Sequence, residues 1–152
     1  MTDNIEIKIK RINSKFNDIE LPVYATEGSS GLDVRAAIDS ELLIPAGQVK
    51  LVATNLTVEI PVGYEIQVRP RSGLAAKHGI GILNSPGTID SDYRGEIKII
   101  IMNFSKTDFK ILRGDRIAQL VVSKVYKANF IEGKELNESN RGTGGFGHTG
   151  KS

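Results

Sequence analysis

The sequence predicts an all-β domain, either a sandwich, a barrel or a jelly roll, that carries one short helix. Short segments with apolar residues at every second position recur along the chain, and turn residues separate them. This combination is typical of such folds. Only residues 73–78 have a helical pattern, and they span one or two turns. With 152 residues the chain can bury one sizeable core, so we expect a single folded domain.

The predicted strands follow one another with turns between them. Residues 5–10 alternate isoleucine with charged side chains, as expected of a strand with one face in solvent. Two turns of the same design, IPAG at 44–47 and IPVG at 60–63, combine a proline that fixes φ with a glycine that adapts to the exit direction. Further strands are predicted at residues 32–36, 49–53, 56–60, 64–69, 96–104 and 116–126.

Residues 87–96 (GTIDSDYRGE) form the most informative segment. It lies between a strand at 80–86 that ends in a Pro-Gly turn and a returning strand at 97–101, so we predict a tightly turned β-hairpin. Packing alone gives no reason for two aspartates and a tyrosine in such a turn. The segment therefore indicates a site that recognises a small polar ligand.

The returning strand is apolar at five of the six positions from 97 to 102. A strand with one face in solvent would alternate, so we predict that this one is buried on both sides. In a domain of this size the second buried side indicates another subunit, and we expect a homo-oligomer.

Composition argues against several functional classes. The 20 Lys and Arg residues nearly balance 18 Asp and Glu residues, for a net charge of +2, so we expect no nucleic-acid partner. The absence of cysteine excludes disulfides and thiolate metal sites and fits a reducing cytoplasm. Residues 1–4 do not resemble a signal peptide, and no apolar run approaches the roughly 18–20 residues that cross a membrane. We expect a soluble, cytoplasmic protein with no membrane partner.

The C-terminal residues 133–152 differ from the core domain at 1–132. Six of them are glycine and only two are large and apolar, so burial cannot offset the entropy lost on ordering. One interpretation is a plain disordered tail. The other is a flexible flap that becomes ordered over a bound nucleotide.

The pattern RGTGGFG at 141–147 favours the flap. Backbone N–H groups of closely spaced glycines, which include Gly147, can surround phosphate oxygens. Arg141 adds a forked cationic contact, and Phe146 offers a flat face to a base.

Five short motifs occur in order along the chain. Any one alone is a weak signal, because clusters of Gly, Arg and Asp are common in turns. Together they resemble the trimeric deoxyuridine triphosphatases (dUTPases), from about residue 21 to residue 150. The motifs are GLDVRA at 31–36, RPRSGLA at 69–75, GTIDSDYRGE at 87–96, RGDRIAQ at 113–119 and RGTGGFGHTG at 141–150.

The resemblance implies a jelly-roll subunit in a homotrimer with shared active sites. One subunit supplies the phosphate-binding motifs, another the uracil hairpin and the third the flap. The implied reaction is hydrolysis of dUTP to dUMP and pyrophosphate by attack of water on the α-phosphate, which supplies dUMP for thymidylate synthesis and keeps uracil out of DNA. Two alternatives are a dCTP deaminase-related enzyme and a non-catalytic nucleotide-binding regulator of the same fold. The complete 87–96 motif argues for uracil.

Phosphate contacts are expected from three places. Arg71, Ser72 and Gly73 enter the helical segment with a guanidinium, a hydroxyl and backbone N–H groups. On the residues alone, Ser72 could instead be a plain N-cap. Gln119 lies among apolar residues and needs a partner. The resemblance assigns it to the α-phosphate, and the alternative is a satisfied core or interface glutamine. Arg141 would join from the flap.

By the resemblance, three residues of the hairpin segment have different roles. Asp90 is the candidate catalytic base, which takes a proton from the attacking water and also touches the 3′-hydroxyl. Asp92 is expected to face away and to serve the turn. Tyr93 would pack against the deoxyribose and leave no space for a ribose hydroxyl.

The uracil edge would be recognised mainly by backbone groups. Asn84 and the backbone of Thr88, Ile89 and Asp90 would bond its polar atoms, and unpaired groups there would reject cytosine. Lys98, on the returning strand, would complete the base pocket.

The predicted cofactor is Mg²⁺, held mainly by the triphosphate and water, because no His, Cys and Asp cluster has the spacing of a protein-caged metal. The resemblance gives Asp33 an indirect role through metal-bound water. Asp115 and Arg116 are expected to serve the structure or a subunit contact. Neither His78 nor His148 is given a catalytic role.

Overall fold

A computed structural model describes residues 4–146, and within them the chain is built almost entirely of short β-strands. A 3₁₀ helix, Ser14–Phe16, and one α-helix, α1 (Ser72–His78), accompany them. The predicted all-β fold class with one short helix is confirmed. The strands are β1 (Lys8–Arg11), β2 (Leu32–Arg35), β3 (Leu42–Ile44), β4 (Val49–Ala53), β5 (Leu56–Glu59), β6 (Tyr64–Arg69), β7 (Ile80–Ile82), β8 (Gly87–Ile89), β9 (Lys98–Asn103), β10 (Phe109–Ile111) and β11 (Arg116–Lys124).

The strands pair antiparallel into small sheets that share one core. The largest has the order β2-β11-β6-β8, and a second has the order β4-β9-β7. Two-stranded pairs, β1-β5 and β10-β3, complete the described part of the chain. Because β11 pairs with both β2 and β6, it brings together residues that are far apart in the sequence.

The predicted hairpin is wider than a tight turn. Its flanking strands do pair with each other, since Ile82 on β7 lies opposite Ile101 on β9. The intervening chain, however, leaves this sheet, and residues 87–89 form β8, which pairs with β6 of the larger sheet. The tight turn covers only residues 90–93, where the Tyr93 N–H donates to the Asp90 carbonyl at 3.1 Å. The predicted strand at 80–86 therefore ends early, at Ile82.

Strand β9 is buried on one face only in the single chain. Ile99 and Ile101 have no exposed surface, whereas Lys98 is exposed and Ile100 and Met102 are half-buried. The second side, which another subunit is predicted to bury, is open in the single chain, so burial on both sides stays a prediction. The partly covered face continues onto β4, where Leu51 lies opposite Ile100 and is 58% exposed.

The IPAG turn at 44–47 and the IPVG turn at 60–63 have the predicted geometry. Gly47 has a φ of +73° and Gly63 a φ of +93°, a backbone region that side chains with a Cβ rarely adopt. The three-residue strands β3 and β10 were not predicted. They pair with each other across a long stretch of sequence, and three residues are too few to show a period.

The C-terminal segment leaves the core soon after β11 ends. The Val125 N–H still donates to the Gly63 carbonyl at 2.8 Å. Beyond it, the apolar side chains of Tyr126, Phe130 and Leu136 are 83%, 95% and 91% exposed. The exposed stretch therefore begins before residue 133. Among the described residues, no helix has the length and apolarity to span a membrane.

Candidate active site

The 87–96 segment and its neighbours enclose a cavity of about 320 Å³, here called the main cavity. Residues from both larger sheets line it, because β8 belongs to one sheet and β4 and β9 to the other. Six of the predicted site residues line it: Asn84, Thr88, Ile89, Asp90, Tyr93 and Lys98. The remaining lining residues are Leu51, Val68, Gly87, Glu96, Ile97 and Ile100.

Strand β8 offers backbone groups to the main cavity. In the described part of the chain it is the last strand of its sheet and pairs only with β6. An edge strand has a second row of N–H and C=O groups that its own sheet does not use. Gly87, Thr88 and Ile89 all line the cavity, and the Ile89 side chain packs in the core at 6% exposure. Any contact from Ile89 to a ligand's polar atoms must therefore come from its backbone.

The turn at residues 90–93 separates the two aspartates. Asp90 is exposed and lines the main cavity. Asp92 does not line it, and instead borders a neighbouring cavity of about 580 Å³ together with Glu65 and Lys127. As expected, Asp92 lies away from the main cavity, while Asp90 borders both cavities.

Tyr93 is folded back against the backbone that follows it. Its hydroxyl donates to the Glu96 carbonyl at 3.0 Å. The ring lies so close to Gly95 that a Cβ at that position would stand 2.3 Å from the hydroxyl oxygen. The ring position therefore depends on glycine at residue 95, and Tyr93 remains 45% exposed.

Glu96 and Lys98 form a charged pair at the cavity. The Glu96 Oε2 atom lies 3.7 Å from the Lys98 Nζ atom, and Glu96 Oε1 accepts a hydrogen bond from the Asn55 N–H at 2.9 Å. Sequence reasoning did not propose Glu96 as a site residue. A signal was present, because it is an acid directly before a mostly apolar stretch, residues 97–102. No such local signal marks the walls that β4 and β6 supply, Leu51 and Val68.

A second group of polar residues, the guanidinium cluster, consists of Asp33, Arg71 and Arg116. Asp33 Oδ1 accepts from Arg71 Nε at 2.8 Å, and Asp33 Oδ2 accepts from Arg116 Nη1 at 3.1 Å. One carboxylate thus orients two guanidinium groups. Arg116 was expected to serve the structure or a subunit contact, and here it meets the residues predicted to bind phosphate.

Arg71 also defines the start of α1. It is the N-cap residue, with φ −90° and ψ 128°, and its side chain makes no capping bond. Ser72 is the first residue inside the helix and Gly73 the second. The alternative of Ser72 as an N-cap is therefore wrong.

Gln119 lies next to the guanidinium cluster because of strand register. On β11 it is opposite Asp33 of β2 and Arg69 of β6. Its Nε2 atom donates to the carbonyl of Pro70 at 2.9 Å, and the side chain is half-buried rather than enclosed in the core. One amide donor therefore has a protein partner, as the structural alternative for Gln119 requires.

Two residues in the first half of the 113–119 motif, Arg113 and Asp115, make structural contacts. Arg113 donates to both carboxylate oxygens of Asp18, at 2.7 and 3.2 Å, and stacks over the Phe16 ring at 4.6 Å. These hydrogen bonds hold the pKa of the exposed Asp18 carboxyl below its ordinary value. Asp115 accepts the Leu112 N–H at 2.8 Å, as expected of a turn acid.

The chemistry of the donor set limits how a metal ion could bind. Within residues 4–146, no group of three His, Cys, Asp or Glu side chains could hold one. Both oxygens of Asp33 already accept from guanidinium groups. A Mg²⁺ ion is compatible with these residues if substrate phosphates and water supply most of its ligands.

The described part of the tail is not in contact with the main cavity. Arg141 Nε donates to the Gly144 carbonyl at 2.7 Å, within a local turn, and Phe146 is fully exposed. Gly147, the last predicted substrate contact, lies outside the described residues. No residue of this tail or of the guanidinium cluster lines the main cavity in the part of the chain the structure describes. The described chain thus presents its predicted site residues in three groups: the main cavity, the guanidinium cluster and the tail.

Comparison with known proteins gives one consistent result. The family model described as dUTPase matches residues 17–150. The chain is 55% identical to the deoxyuridine 5′-triphosphate nucleotidohydrolase of Neorickettsia sennetsu over 133 residues, which covers 88% of this chain and 89% of the relative. It is 47% identical over 147 residues to the enzyme of the same name from Thermoanaerobacter sp. (strain X514), which covers 97% of this chain and 99% of the relative.

Solved structures show the same fold at lower identity. The dUTPase of Staphylococcus bacteriophage 80alpha with dUPNHPP has a TM-score of 0.84 at 23% identity and covers 95% of this chain and 98% of that chain. A mutant dUTPase from phage phi11 of S. aureus, in which a structural Mg(II) ion is coordinated, has a TM-score of 0.76 at 20% identity and covers 88% and 99%.

Proposed function

The chain belongs to the dUTPase family, and on this premise we propose that it hydrolyses dUTP to dUMP and pyrophosphate, with the main cavity as the site for uracil and deoxyribose. The observation that carries the proposal is the set of groups around that cavity. Residues 84–98 bring to it the backbone of an edge strand, an amide, a carboxylate and an aromatic ring. These groups match the polar edge of a base, a sugar and a water that must lose a proton.

The base and the sugar are proposed to lie side by side in the cavity. The backbone of β8 and the Asn84 amide bond the polar edge of uracil, and Lys98 closes the pocket. The Tyr93 ring packs against the deoxyribose, where a 2′-hydroxyl would clash with it. Selection then rests on unpaired polar groups against cytosine and on steric exclusion of ribose.

Asp90 is proposed as the general base. It follows β8 directly, lines the main cavity and is exposed, so a water molecule can reach its carboxylate. In the proposed step Asp90 takes a proton from water while the water oxygen bonds to the α-phosphorus. The bond from that phosphorus to the bridging oxygen breaks, and pyrophosphate leaves with the electron pair.

The phosphate chain is proposed to bind at the guanidinium cluster and its neighbours. Arg71, Ser72, Gly73 and Gln119 contact phosphate oxygens, and Asp33 keeps Arg71 in place through its bond to Nε. Mg²⁺, when bound with the triphosphate, neutralises part of its charge. Asp33 would meet the ion through water.

A homotrimer is proposed because the single subunit separates the parts of the site. Among the described residues, no member of the guanidinium cluster lines the main cavity. The outward face of β4 and β9 leaves Val49 40% and Leu51 58% exposed, which favours a subunit contact there. Residues 133–152 are proposed as the flap, with Arg141, Phe146 and Gly147 over the nucleotide. A cytoplasmic location is in keeping with a chain that has no cysteine.

The test is pyrophosphate release measured with dUTP, dTTP, dCTP and UTP, each with and without EDTA. We expect rapid release from dUTP alone, and strong inhibition by EDTA that added Mg²⁺ reverses. Ammonia release from dCTP would support the deaminase instead. Binding of dUTP without any turnover would support the non-catalytic regulator, and either outcome would overturn the proposal.

A further inference from the structure

The chain that follows Tyr93 is attached to a corner of the fold that no function has been assigned to. This β4–β5 corner, residues 54–57, joins β4 to β5. Four hydrogen bonds connect it to residues 94–97. Thr57 Oγ1 donates to the Arg94 carbonyl at 2.8 Å, and the Asn55 N–H donates to Glu96 Oε1 at 2.9 Å. The Ile97 N–H donates to the Leu56 carbonyl at 2.8 Å, and Thr54 Oγ1 donates to the Ile97 carbonyl at 2.6 Å.

Glu96 is at the centre of this attachment because it makes contacts in two directions. Its backbone carbonyl accepts the Tyr93 hydroxyl at 3.0 Å, and its carboxylate accepts the Asn55 N–H. The contact to Lys98 is longer, 3.7 Å, and the Lys98 side chain is 46% exposed, so that ion pair contributes little. The hydrogen bond to Asn55 is therefore the stronger constraint on Glu96.

Asn55 is itself held rigidly. It is 5% exposed and has a φ of +61°, in the left-handed region. Its side chain exchanges two hydrogen bonds with the Asn13 backbone, at 2.8 and 2.9 Å. The donor that meets the Glu96 carboxylate thus belongs to a fixed, buried residue, and its N–H would lose its partner if the carboxylate were removed.

We infer that Glu96 is a positioning residue, which anchors the backbone under the Tyr93 ring to the β4–β5 corner and thereby sets the preference for 2′-deoxynucleotides. The inference rests on the proposed role of Tyr93 at the sugar. A ring that excludes a single hydroxyl group must keep its position to within a fraction of the diameter of that group. Arg94 and Ile97 keep their bonds to the corner when the Glu96 carboxylate is removed, but the backbone between them loses its bond to Asn55. The Glu96 carbonyl can then shift, and the ring that donates to it shifts as well and leaves space at the 2′ position.

The experiment compares Glu96→Ala with Glu96→Gln in the full-length protein. We expect Glu96→Ala to lower the ratio of kcat/KM for dUTP to that for UTP by roughly 10- to 100-fold. Glu96→Gln should restore most of this ratio, because its amide oxygen accepts the same hydrogen bond from Asn55. Glu41→Ala, which removes an exposed ion pair with Lys110 on another part of the surface, is the matched control and should keep the wild-type ratio.

A second measurement needs no turnover. The four tyrosines can be labelled with 3-fluorotyrosine and the Tyr93 ¹⁹F resonance assigned with Tyr93→Phe. Glu96→Ala should shift or broaden that resonance and leave the other three in place, which also shows that the variant is folded. A wild-type enzyme that does not hydrolyse dUTP would overturn the proposed function, while this signal would still test the anchor.

Two results would overturn the inference. If Glu96→Gln loses as much selectivity as Glu96→Ala, the charge next to Lys98 matters and the anchor does not. If Glu96→Ala keeps both the dUTP to UTP ratio and the Tyr93 resonance, Glu96 does not position the ring.

Discussion

At the residue scale, the proposed chemistry depends most on the Asp90 carboxylate. Asp90→Asn keeps the shape of the side chain and removes its basicity, so we expect pyrophosphate release to fall by roughly 100- to 10,000-fold while dUTP still binds. Steady-state kinetics and titration calorimetry with a non-hydrolysable dUTP analogue measure the two effects. Asp92→Asn is the control, because Asp92 borders the neighbouring cavity only. Near wild-type turnover by Asp90→Asn would refute the assignment of the base.

Gly95 gives a prediction about the space next to the Tyr93 ring. A Cβ there would stand 2.3 Å from the Tyr93 hydroxyl oxygen and 2.5 Å from the ring carbon that bears it. Gly95→Ala must therefore displace the ring, and we expect kcat/KM for dUTP to fall by roughly 10-fold or more. Gly28→Ala is the matched control, since nothing lies within 4 Å of the Cβ it adds. Equal activity of the two variants would mean that the ring position does not matter to the substrate.

At the scale of elements, the sequence predicted the bounds of two strands but not those of its most regular segment, since the alternating residues 5–10 form a strand only from Lys8 to Arg11. Strands β4 and β6 have the predicted bounds, 49–53 and 64–69. β8 was missed because it has three residues and its partner β6 precedes it by a helix and another strand. Glu96 was missed for a related reason, because its partner Asn55 lies in another part of the chain. The motif residues were predictable through the family resemblance, whereas the contacts that hold them come from tertiary pairing.

The β4–β5 corner gives the prediction that belongs to this scale. The Thr54 hydroxyl is buried, at 3% residue exposure, and donates to the Ile97 carbonyl at 2.6 Å. Thr54→Val keeps the shape and leaves that carbonyl without its donor, so we expect a loss of about 1–3 kcal/mol of unfolding free energy. Urea denaturation at a fixed protein concentration measures it. Thr57→Val removes a similar bond to the Arg94 carbonyl in a more exposed place, where water can replace it. If Thr57→Val costs as much as Thr54→Val, burial does not explain the loss.

At the scale of the whole molecule, the chain has one continuous core, and its proposed binding groups lie around it. Its buried isoleucines and valines form one continuous cluster that joins all the sheets. The groups proposed to bind the base, the phosphates and the outer side of the nucleotide nevertheless share no cavity in the described part of the chain, since the main cavity is lined by neither the guanidinium cluster nor the tail. Sequence motifs identify such groups but carry no information on the distances between them. Those distances are determined by the packing of strands and, in the proposed homotrimer, by the packing of subunits.

The tail allows assembly and catalysis to be separated. From Tyr126 to Phe146 its large apolar side chains are more than 80% exposed, so its removal takes nothing from the buried core. We expect a chain that ends at residue 141 to keep the oligomeric mass of the full-length protein by light scattering. Its pyrophosphate release should fall by roughly 100-fold, because glycine N–H groups and the Phe146 ring no longer close over the nucleotide. A chain that ends at residue 150 keeps the whole motif and serves as the control. Full activity of the shorter chain would exclude a catalytic flap, and a change in its mass would instead place these residues in the subunit contact.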